Sequence, residues 1–437
     1  MRENYGKINS MKNTVEMRNI LLSVFSLLLL QATVYSNDAV VVEEKIQDGA
    51  ILLRDNIIRE NNIENSTIEE ILPNKYTIIK TISNYSPIRE NADVNAKRFS
   101  HLKKGATIFA DDSNEDFYRV DLGLNKPYWI EKKYVDVSSS TNQKELPEIK
   151  DIILSDTDKY YTIKVKTPIL TAYNEIEKTD KSLEFILYDV IFDEKSLKAK
   201  GKSEANFDIS KDEFNNLKIL YSSKYILTGH DVEKTPDGLL IKIKKPFSVS
   251  KKHPLKGITI AIDPGHGGGD SGACANGLRE KDINLQVSKI LSEKLKDEGA
   301  KVYLTREDDV DVDLYDRIDF AKINNADFLI SIHQNSLPNR ANVDKKHGVG
   351  VYYYNKEAYK LANEIQKSLV EGTEFRDDGV NFASFALTRS SLPVCILVEC
   401  GYIIHKEEAK KLSDAEFQKL LSDYLIKGIK NYLVENF

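Results

Sequence analysis

The chain has 437 residues and a formal net charge of −6. This length is too great for one hydrophobic core, so several domains are expected. Hydrophobic residues make up 41% and charged residues 30%, as in soluble globular proteins. Because the net charge is negative, without the excess of basic residues typical of nucleic-acid-binding proteins, we expect no nucleic-acid partner.

The first 36 residues have the layout of a secretory signal peptide. Four basic residues precede an apolar run over 20–30, and small residues stand before Asn37. The run is too short to span a bilayer comfortably, so we expect no stable membrane span after signal removal. The prediction is an exported protein, periplasmic or cell-wall associated. The alternative is an uncleaved signal anchor.

The three cysteines, Cys274, Cys395 and Cys400, do not form a disulfide scaffold, because their number is odd and small for an exported chain. Cys395 and Cys400 lie in an apolar stretch and are interpreted as core residues. Their spacing of five would place them on opposite sides of a strand, where they could not easily pair with each other.

Residues 37–74 are interpreted as a linker or short helix, and residues 75–138 as a β-rich module. Short strands with turns between them are predicted over 76–79, 107–110, 117–121 and 128–130. The module resembles bacterial Src-homology-3-like modules in four places: Leu102 to Gly105, Tyr118 to Val120, Trp129-Ile130 and Tyr134-Val135. That resemblance implies binding to cell-wall polymer. The alternative is a spacer domain in which Trp129 belongs to the core.

A polar stretch leads to a second β-rich block over residues 150–248. Residues 160–166 and 239–244 alternate apolar and polar side chains, and 183–192 form an apolar run suited to a strand buried on both faces. The block is predicted to be a β-sandwich. Its spacing resembles the AMIN domain that precedes some cell-wall amidases, although no single residue carries that likeness.

From residue 255 to 437, strands alternate with amphipathic helices, which is typical of an α/β domain with a mostly parallel sheet. Strands are predicted over 258–262, 301–304, 328–332, 349–354 and 394–398, and helices over 284–298, 358–369 and 416–433. The predicted fold class is therefore multidomain: a C-terminal α/β domain with a mostly parallel sheet, preceded by two β-rich domains.

Four polar residues of this last domain form a constellation with a chemical meaning. His266 and His333 directly follow predicted strands, Glu399 ends another, and Glu280 stands just before a helix. Ligand sites in open α/β sheets lie at the carboxyl ends of the strands. Two histidines and a glutamate are the ligand set of a catalytic zinc site, and a further glutamate can transfer protons.

Each residue also has a purely structural interpretation. A single histidine at a strand end is more often a hydrogen-bonded structural residue than a ligand. Glu280 could be a glutamate favoured by the helix dipole, and Glu399 could be a buried acid paired with Arg389 or Arg306. His347, in a polar loop, could be solvated or face a substrate. The zinc hypothesis is favoured because four independent structural explanations would otherwise have to hold together.

Residues 257–433 resemble the zinc-dependent N-acetylmuramoyl-L-alanine amidase family of the amidase_3 type. The matching motifs, in chain order, are Asp-Pro-Gly-His-Gly-Gly at Asp263, Glu-Lys-Asp-Ile-Asn-Leu at Glu280, Leu304-Thr305-Arg306, Leu314 to Arg317, Ala326-Asp327 to Asn335, and Val-Glu-x-Gly-aromatic-Ile at Val398. The resemblance implies zinc on His266, Glu280 and His333, with Glu399 as the catalytic acid/base. It also implies a substrate, the amide between N-acetylmuramic acid and L-alanine in peptidoglycan.

Some relatives carry a helix between the second histidine and the last glutamate that plugs the site until an activator binds. Here only one helix fits that segment, so we expect an open site that requires no activator protein. Two other functions would fit parts of the sequence. One is a non-catalytic peptidoglycan-binding protein, which would not need Glu399. The other is a thiol hydrolase using Cys400 or Cys395, although neither cysteine has a histidine–aspartate partner beside it.

Overall fold

The protein is described from a computed structural model, which covers residues 46–47, 50–51, 76–193, 195, 197–337 and 343–437. The chain divides into two compact units, Met1–Ile68 and Glu69–Phe437. In the first unit, β1 (Ile46–Gln47) pairs with β2 (Ala50–Ile51) in an antiparallel manner. The predicted signal peptide lies outside the described residues. The described residues from Tyr76 onward belong to the second unit.

The first sheet of the second unit has seven strands in the order β5-β4-β8-β7-β6-β3-β9. Their bounds are β3 (Tyr76–Thr81), β4 (Ser86–Arg89), β5 (Arg98–Leu102), β6 (Thr107–Ser113), β7 (Phe117–Val120), β8 (Tyr128–Glu131) and β9 (Val135–Thr141). A short 3₁₀ turn, Lys132–Tyr134, precedes β9. The sequence pattern missed β4, because its charged residue Arg89 is buried against Glu131. That ion pair joins residues far apart in the chain.

Two further sheets follow, with five strands (β14-β10-β11-β18-β17) and four strands (β12-β13-β16-β15). Their bounds are β10 (Asp151–Asp156), β11 (Tyr160–Lys166), β12 (Tyr173–Thr179), β13 (Ser182–Leu187), β14 (Lys200–Gly201), β15 (Asn206–Lys211), β16 (Leu217–Ser222), β17 (His230–Thr235) and β18 (Gly238–Lys244). The strand predicted over 183–192 ends at Leu187, and Asp189 beyond it has φ 56°, a left-handed conformation that does not continue a strand.

The two β-rich regions share one hydrophobic core. Ile79 and Ile130 of the first region belong to the same buried cluster as Ile163 and Ile241 of the second. Trp129 is half-buried and is not among the members of that cluster, whereas its neighbours Tyr128 and Ile130 are. The indole therefore belongs to the surface of the module rather than to its interior.

The C-terminal region is built on a six-stranded sheet in the order β22-β19-β23-β26-β24-β25. The strand bounds are β19 (Thr259–Pro264), β20 (Cys274–Ala275), β21 (Leu278–Arg279), β22 (Lys301–Leu304), β23 (Phe328–Asn335), β24 (Val349–Tyr353), β25 (Asp377–Phe382) and β26 (Val394–Tyr402), with β20 and β21 forming a separate hairpin. The pair β24–β26 is antiparallel and the other neighbours are parallel. The prediction of a mostly parallel sheet is confirmed.

Helices cover both faces of this sheet. Their bounds are α1 (Glu280–Asp297), α2 (Leu314–Ile323), α3 (Lys356–Thr373), α4 (Lys406–Leu412) and α5 (Ala415–Asn436), with a 3₁₀ turn at Leu387–Arg389. One core cluster contains Leu291 of α1 and Cys400, and a separate cluster contains Ile318 of α2 and Cys395. The prediction that the two cysteines lie on opposite sides of a strand is confirmed.

Three details of the sequence-based placement were wrong. β23 continues to Asn335 and β26 to Tyr402, so His333 and Glu399 lie within strands instead of directly after or at the end of them. The apolar pattern stops earlier than the backbone pairing does. Glu280 is the first residue of α1, not a residue before it. Across the described part of the chain, no helix is long and apolar enough to cross a membrane.

Candidate active site

His266, Glu280 and His333 come together at the carboxyl edge of the sheet. Their potential ligand atoms all lie within 4.8 Å of one another. His266 Nε2 is 3.1 Å and His333 Nδ1 is 2.9 Å from the same atom, Glu280 Oε1. Three side chains separated by up to 67 positions thus converge on one small volume, because β19, β23 and α1 end or begin at the same edge.

Two glycines make room for this cluster. A Cβ atom on Gly265 would lie 2.3 Å from Cε1 of His333, and one on Gly272 would lie 2.5 Å from Oε2 of Glu280. Nonbonded heavy atoms do not approach each other this closely, so a side chain at either position would displace a member of the cluster. His266 itself has φ 61°, a conformation that is uncommon for a residue other than glycine and that turns its ring toward Glu280.

Two buried arginines hold the backbone that presents His266. Arg306 donates from Nε to the carbonyl oxygen of Pro264 at 2.9 Å and from Nη2 to that of Gly265 at 3.0 Å. Arg317 donates from Nη1 to Pro264 O at 2.9 Å and from Nη2 to His266 O at 3.0 Å. The sequence marked both arginines only as motif positions, because nothing in a linear pattern shows which carbonyl a buried guanidinium will reach.

Asp270 orients His266. Its Oδ2 lies 2.7 Å from His266 Nδ1, the ring nitrogen that does not face Glu280. A carboxylate on the outer nitrogen of a histidine fixes the ring orientation and tautomer and makes the other nitrogen a better ligand. Sequence reasoning did not assign this role to Asp270, although an aspartate four residues after the histidine, in a glycine-rich loop, was the available signal.

The charges of the cluster favour a cation. Burial alone would lower the pKa of His266, but the carboxylates of Glu280 and Asp270 raise it to about 9. Burial alone would raise the pKa of Glu280, but hydrogen bonds from His266 and His333 hold it well below its usual value. The cluster is therefore an acidic, largely buried environment that attracts positive charge.

Glu399 stands beside the cluster without a hydrogen bond on one oxygen. It is the register partner of His333 on the neighbouring strand. Its Oε2 is buried, and no partner for it occurs in the described part of the chain. Burial, with a contribution from Glu280, raises the pKa of Glu399 to about 7. A carboxyl group of this kind can accept and release a proton near neutral pH.

The alternative in which Glu399 pairs with Arg306 or Arg389 is not seen. The donors of Arg306 go to backbone carbonyl oxygens, and Nε and Nη2 of Arg389 donate to Ser384. No ion pair of Glu399 with either arginine is found among the residues that the structure describes. Glu399 is therefore available to a substrate rather than tied to an internal cation.

A second histidine group lies elsewhere in the domain. His347 Nδ1 is 2.6 Å from Oε1 of Glu408, and the rings of His347 and His405 stack at 4.4 Å with an angle of 9° between their planes. The nitrogen lone pairs of the two imidazoles lie in two nearly parallel planes. In this arrangement His347 and His405 do not both point a nitrogen at one ion. His347 is thus neither freely solvated nor part of the first cluster.

An open α/β sheet with this His–Glu–His cluster at its carboxyl edge, and a proton-accepting glutamate next to it, defines the class as a hydrolase with a candidate metal centre. The family model for N-acetylmuramoyl-L-alanine amidase, Amidase_3, matches residues 260–431. The uncharacterized protein YqiI of Bacillus subtilis is 41% identical over 184 residues, which are 41% of this chain and 86% of that protein.

Two further similarities are found. The germination-specific N-acetylmuramoyl-L-alanine amidase of B. subtilis is 32% identical over 210 residues, covering 44% of this chain and 84% of that protein. The solved structure of the amidase AmiC2 of Nostoc punctiforme is 35% identical, covering 43% of this chain and 99% of that one, with a TM-score of 0.38. The chain belongs to the N-acetylmuramoyl-L-alanine amidase family. The prediction of a peptidoglycan amidase is confirmed.

Proposed function

We propose that this amidase is zinc-dependent, with His266, Glu280 and His333 as the ligands and Glu399 as the catalytic acid/base. The convergence of three ligand atoms within 4.8 Å carries the proposal. Ligands of a tetrahedral zinc stand about 3.3 Å from one another, close to the separations of 3.1 and 2.9 Å found here. Gly265 and Gly272 keep this space free of side chains, which supports the same assignment.

The proposed reaction divides the work among named groups. Zinc, when bound, supplies Lewis acidity toward the substrate carbonyl and toward water. Glu399 accepts the proton of the attacking water and returns it to the nitrogen of L-alanine as the amide bond breaks. Asp270 keeps the His266 ring in place, and Arg306 and Arg317 keep its backbone in place, so the site does not have to reorganise during the reaction.

Digestion of purified peptidoglycan tests the proposal. We expect mass analysis to show free stem peptides that begin with L-alanine, loss of cleavage with a chelator, and recovery with Zn²⁺. His333→Ala should lose both bound zinc and cleavage. His253→Ala changes an exposed histidine outside the cluster and serves as the matched control. Full cleavage after complete metal removal, or zinc stoichiometry unchanged in His333→Ala, would contradict the assignment.

We also propose that the β-rich regions bind the cell-wall polymer, and that residues 75–138 are the Src-homology-3-like module that does so. Trp129 supports this, because its half-buried indole lies outside the core and presents an aromatic surface. The test is sedimentation of the full chain carrying Glu399→Gln with insoluble peptidoglycan. Trp129→Ala should reduce the bound fraction at unchanged melting temperature. Equal sedimentation of both proteins would contradict a role for the indole.

We further infer an exported enzyme that acts at the cell wall without an activator protein. The segment between His333 and Glu399 contains helix α3, and this helix packs into the domain core through Leu361 and Ile365 instead of covering the site. The purified chain alone should therefore digest peptidoglycan at its full rate. A low basal rate that rises severalfold with an extract of cell-envelope proteins would contradict this inference.

A further inference from the structure

A polar cavity of about 140 Å³ lies where the two β-rich regions meet the catalytic region. Its lining includes Arg98 and His101 from β5, Glu177 from β12, and Tyr354 and Arg389 from the catalytic region. β24 runs antiparallel to β26 with Gly350 opposite Glu399. Tyr354, four residues further on, is about 13 Å along the strand from that point. The cavity is thus at the edge of the sheet opposite the His–Glu cluster.

One side of the cavity has positive charge without an anion. Arg98 Nη1 and Arg389 Nε both donate to the hydroxyl of Ser384, and Arg389 Nη2 donates to its carbonyl oxygen at 2.8 Å. Within the described residues, neither guanidinium forms an ion pair with a carboxylate. Burial, and then the charges of Arg389 and Arg89, lower the pKa of Arg98. Both arginines also line the cavity, and guanidinium groups without a carboxylate partner suit a carboxylate ligand there.

His101 adds an unused polar atom to the same side. Its Nε2 is buried, and no hydrogen-bond partner for it is found in the described part of the chain. Its ring meets the ring of Tyr354 edge-on at 5.8 Å. Burial, and then Arg98 and Arg389, lower the pKa of His101 to about 3, so the ring is neutral and can donate or accept a hydrogen bond. Buried polar atoms without partners are rare, and a bound ligand or water can supply the missing partner.

The cavity is also lined by a carboxylate that forms no ion pair among the described residues, that of Glu177. Glu177 Oε2 is buried and has no partner among the described residues. The ammonium group of the nearby Lys356 goes to the carbonyl oxygen of Glu177 at 2.9 Å, not to its carboxylate. Burial, and then the charge of Glu357, raise the pKa of Glu177 to about 8. A cation placed beside this carboxylate would restore its ionised form.

We propose that this cavity is a binding site for a small zwitterion, an α-amino acid with a short side chain. Its carboxylate binds to Arg98 and Arg389, and its ammonium group binds to Glu177. The volume is close to the ~150 Å³ that holds one benzene molecule in an engineered cavity, which limits the ligand to about six or seven non-hydrogen atoms, as in an amino acid with three or four carbons. The ligand would bridge three regions of the chain at a distance from the reaction.

Titration calorimetry of the full zinc-loaded enzyme tests this with three probes: L-alanine, propionate and ethylamine. We expect saturable binding of L-alanine at concentrations up to about 10 mM, weaker binding of propionate, and none of ethylamine. Arg98→Gln should weaken L-alanine and propionate by about tenfold or more. Glu177→Gln should weaken L-alanine by a similar factor and leave propionate unchanged. Arg119→Gln is the matched control, because that guanidinium already pairs with Asp111.

L-Alanine could also bind to the metal, so each titration is repeated in a His333→Ala background. Binding that persists in that background but is weakened in Arg98→Gln and Glu177→Gln locates the ligand in the cavity. If none of the three probes gives a saturable binding curve, the proposal is overturned and the cavity holds only water. Binding lost in His333→Ala and kept in Glu177→Gln would overturn it as well. Arg389→Gln replaces Arg98→Gln if the latter lowers the melting temperature strongly.

Discussion

His333 and Glu399 are register partners on the adjacent parallel strands β23 and β26. Both side chains therefore emerge at the same level of the sheet, next to Glu280. His333 has a hydrogen-bonded ring nitrogen, whereas Oε2 of Glu399 is left without a partner in the described structure. This difference supports the proposed roles, in which His333 is a metal ligand and Glu399 is the proton-transfer group.

Glu399→Gln is expected to lower kcat on peptidoglycan by about 10²–10⁴-fold, because the amide cannot accept a proton. The bound zinc content should stay the same, since Glu399 is not one of the three clustered ligands. Turnover in a peptide-release assay and metal analysis of the same preparation measure the two effects. The control is Glu416→Gln, at an exposed glutamate of α5. A fast Glu399→Gln enzyme would show that another group moves the proton.

Asp270→Asn is expected to weaken zinc binding by about 10–100-fold, because it removes the carboxylate from the outer nitrogen of His266. Competition with a metal-binding dye measures the affinity. At saturating zinc most of the activity should return, which a directly catalytic residue would not allow. Asp297→Asn, at an exposed position at the end of α1, is the control. An unchanged affinity would mean that the ring of His266 is held by other contacts.

A thiol reagent is expected to modify Cys274 and to leave Cys395 and Cys400 unmodified in the folded enzyme. Cys274 is exposed, whereas the other two thiols are buried and burial raises their pKa. The Cys274→Ser enzyme should therefore keep its activity in the presence of the reagent. Mass analysis and peptide release report both results. Inactivation of the Cys274→Ser enzyme by the reagent would contradict this prediction and support a thiol hydrolase that uses Cys395 or Cys400.

Stability is expected to fall as the pH rises above about 7, in part through His230. Its ring lies 2.9 Å from Glu175 and 3.2 Å from Glu357, and it meets Phe185 edge-on. Burial alone lowers the pKa of His230, but these two carboxylates raise it well above 6.5. A raised folded-state pKa adds stability that is complete below the unfolded value and is lost as the pH rises through the folded one.

The measurement is urea unfolding of wild-type protein and His230→Asn between pH 6 and pH 9. The wild-type advantage should be largest at pH 6 and shrink by about 1–3 kcal/mol toward high pH. Burial raises the pKa of the nearby Glu177 to about 8 and the charge of His230 lowers it in part, so the measured difference includes the change that the substitution causes at Glu177. A difference that stays constant with pH would show that His230 is not protonated in the folded state.

The mostly parallel sheet, and the meeting of the four residues of the candidate site at one edge of it, could be predicted because their signals are local. Apolar runs in the sequence predict the strands, and His266, His333 and Glu399 follow or end such runs within motifs. The strand β4 could not be predicted, since its buried Arg89 is stabilised by Glu131, which is 42 positions away. The exact ends of β23 and β26 were missed because backbone pairing continues beyond the apolar residues.

The sequence by itself determined the family, since the motifs in 257–433 carry the resemblance to N-acetylmuramoyl-L-alanine amidases that the relatives confirm. Only the tertiary structure decided how the site is held together and how the regions join. The arginines at 306 and 317 support the His266 backbone, Asp270 orients its ring, and the two β-rich regions share one core. These features depend on contacts between residues distant in the chain, where burial and hydrogen-bond geometry choose the partner and no local pattern records it.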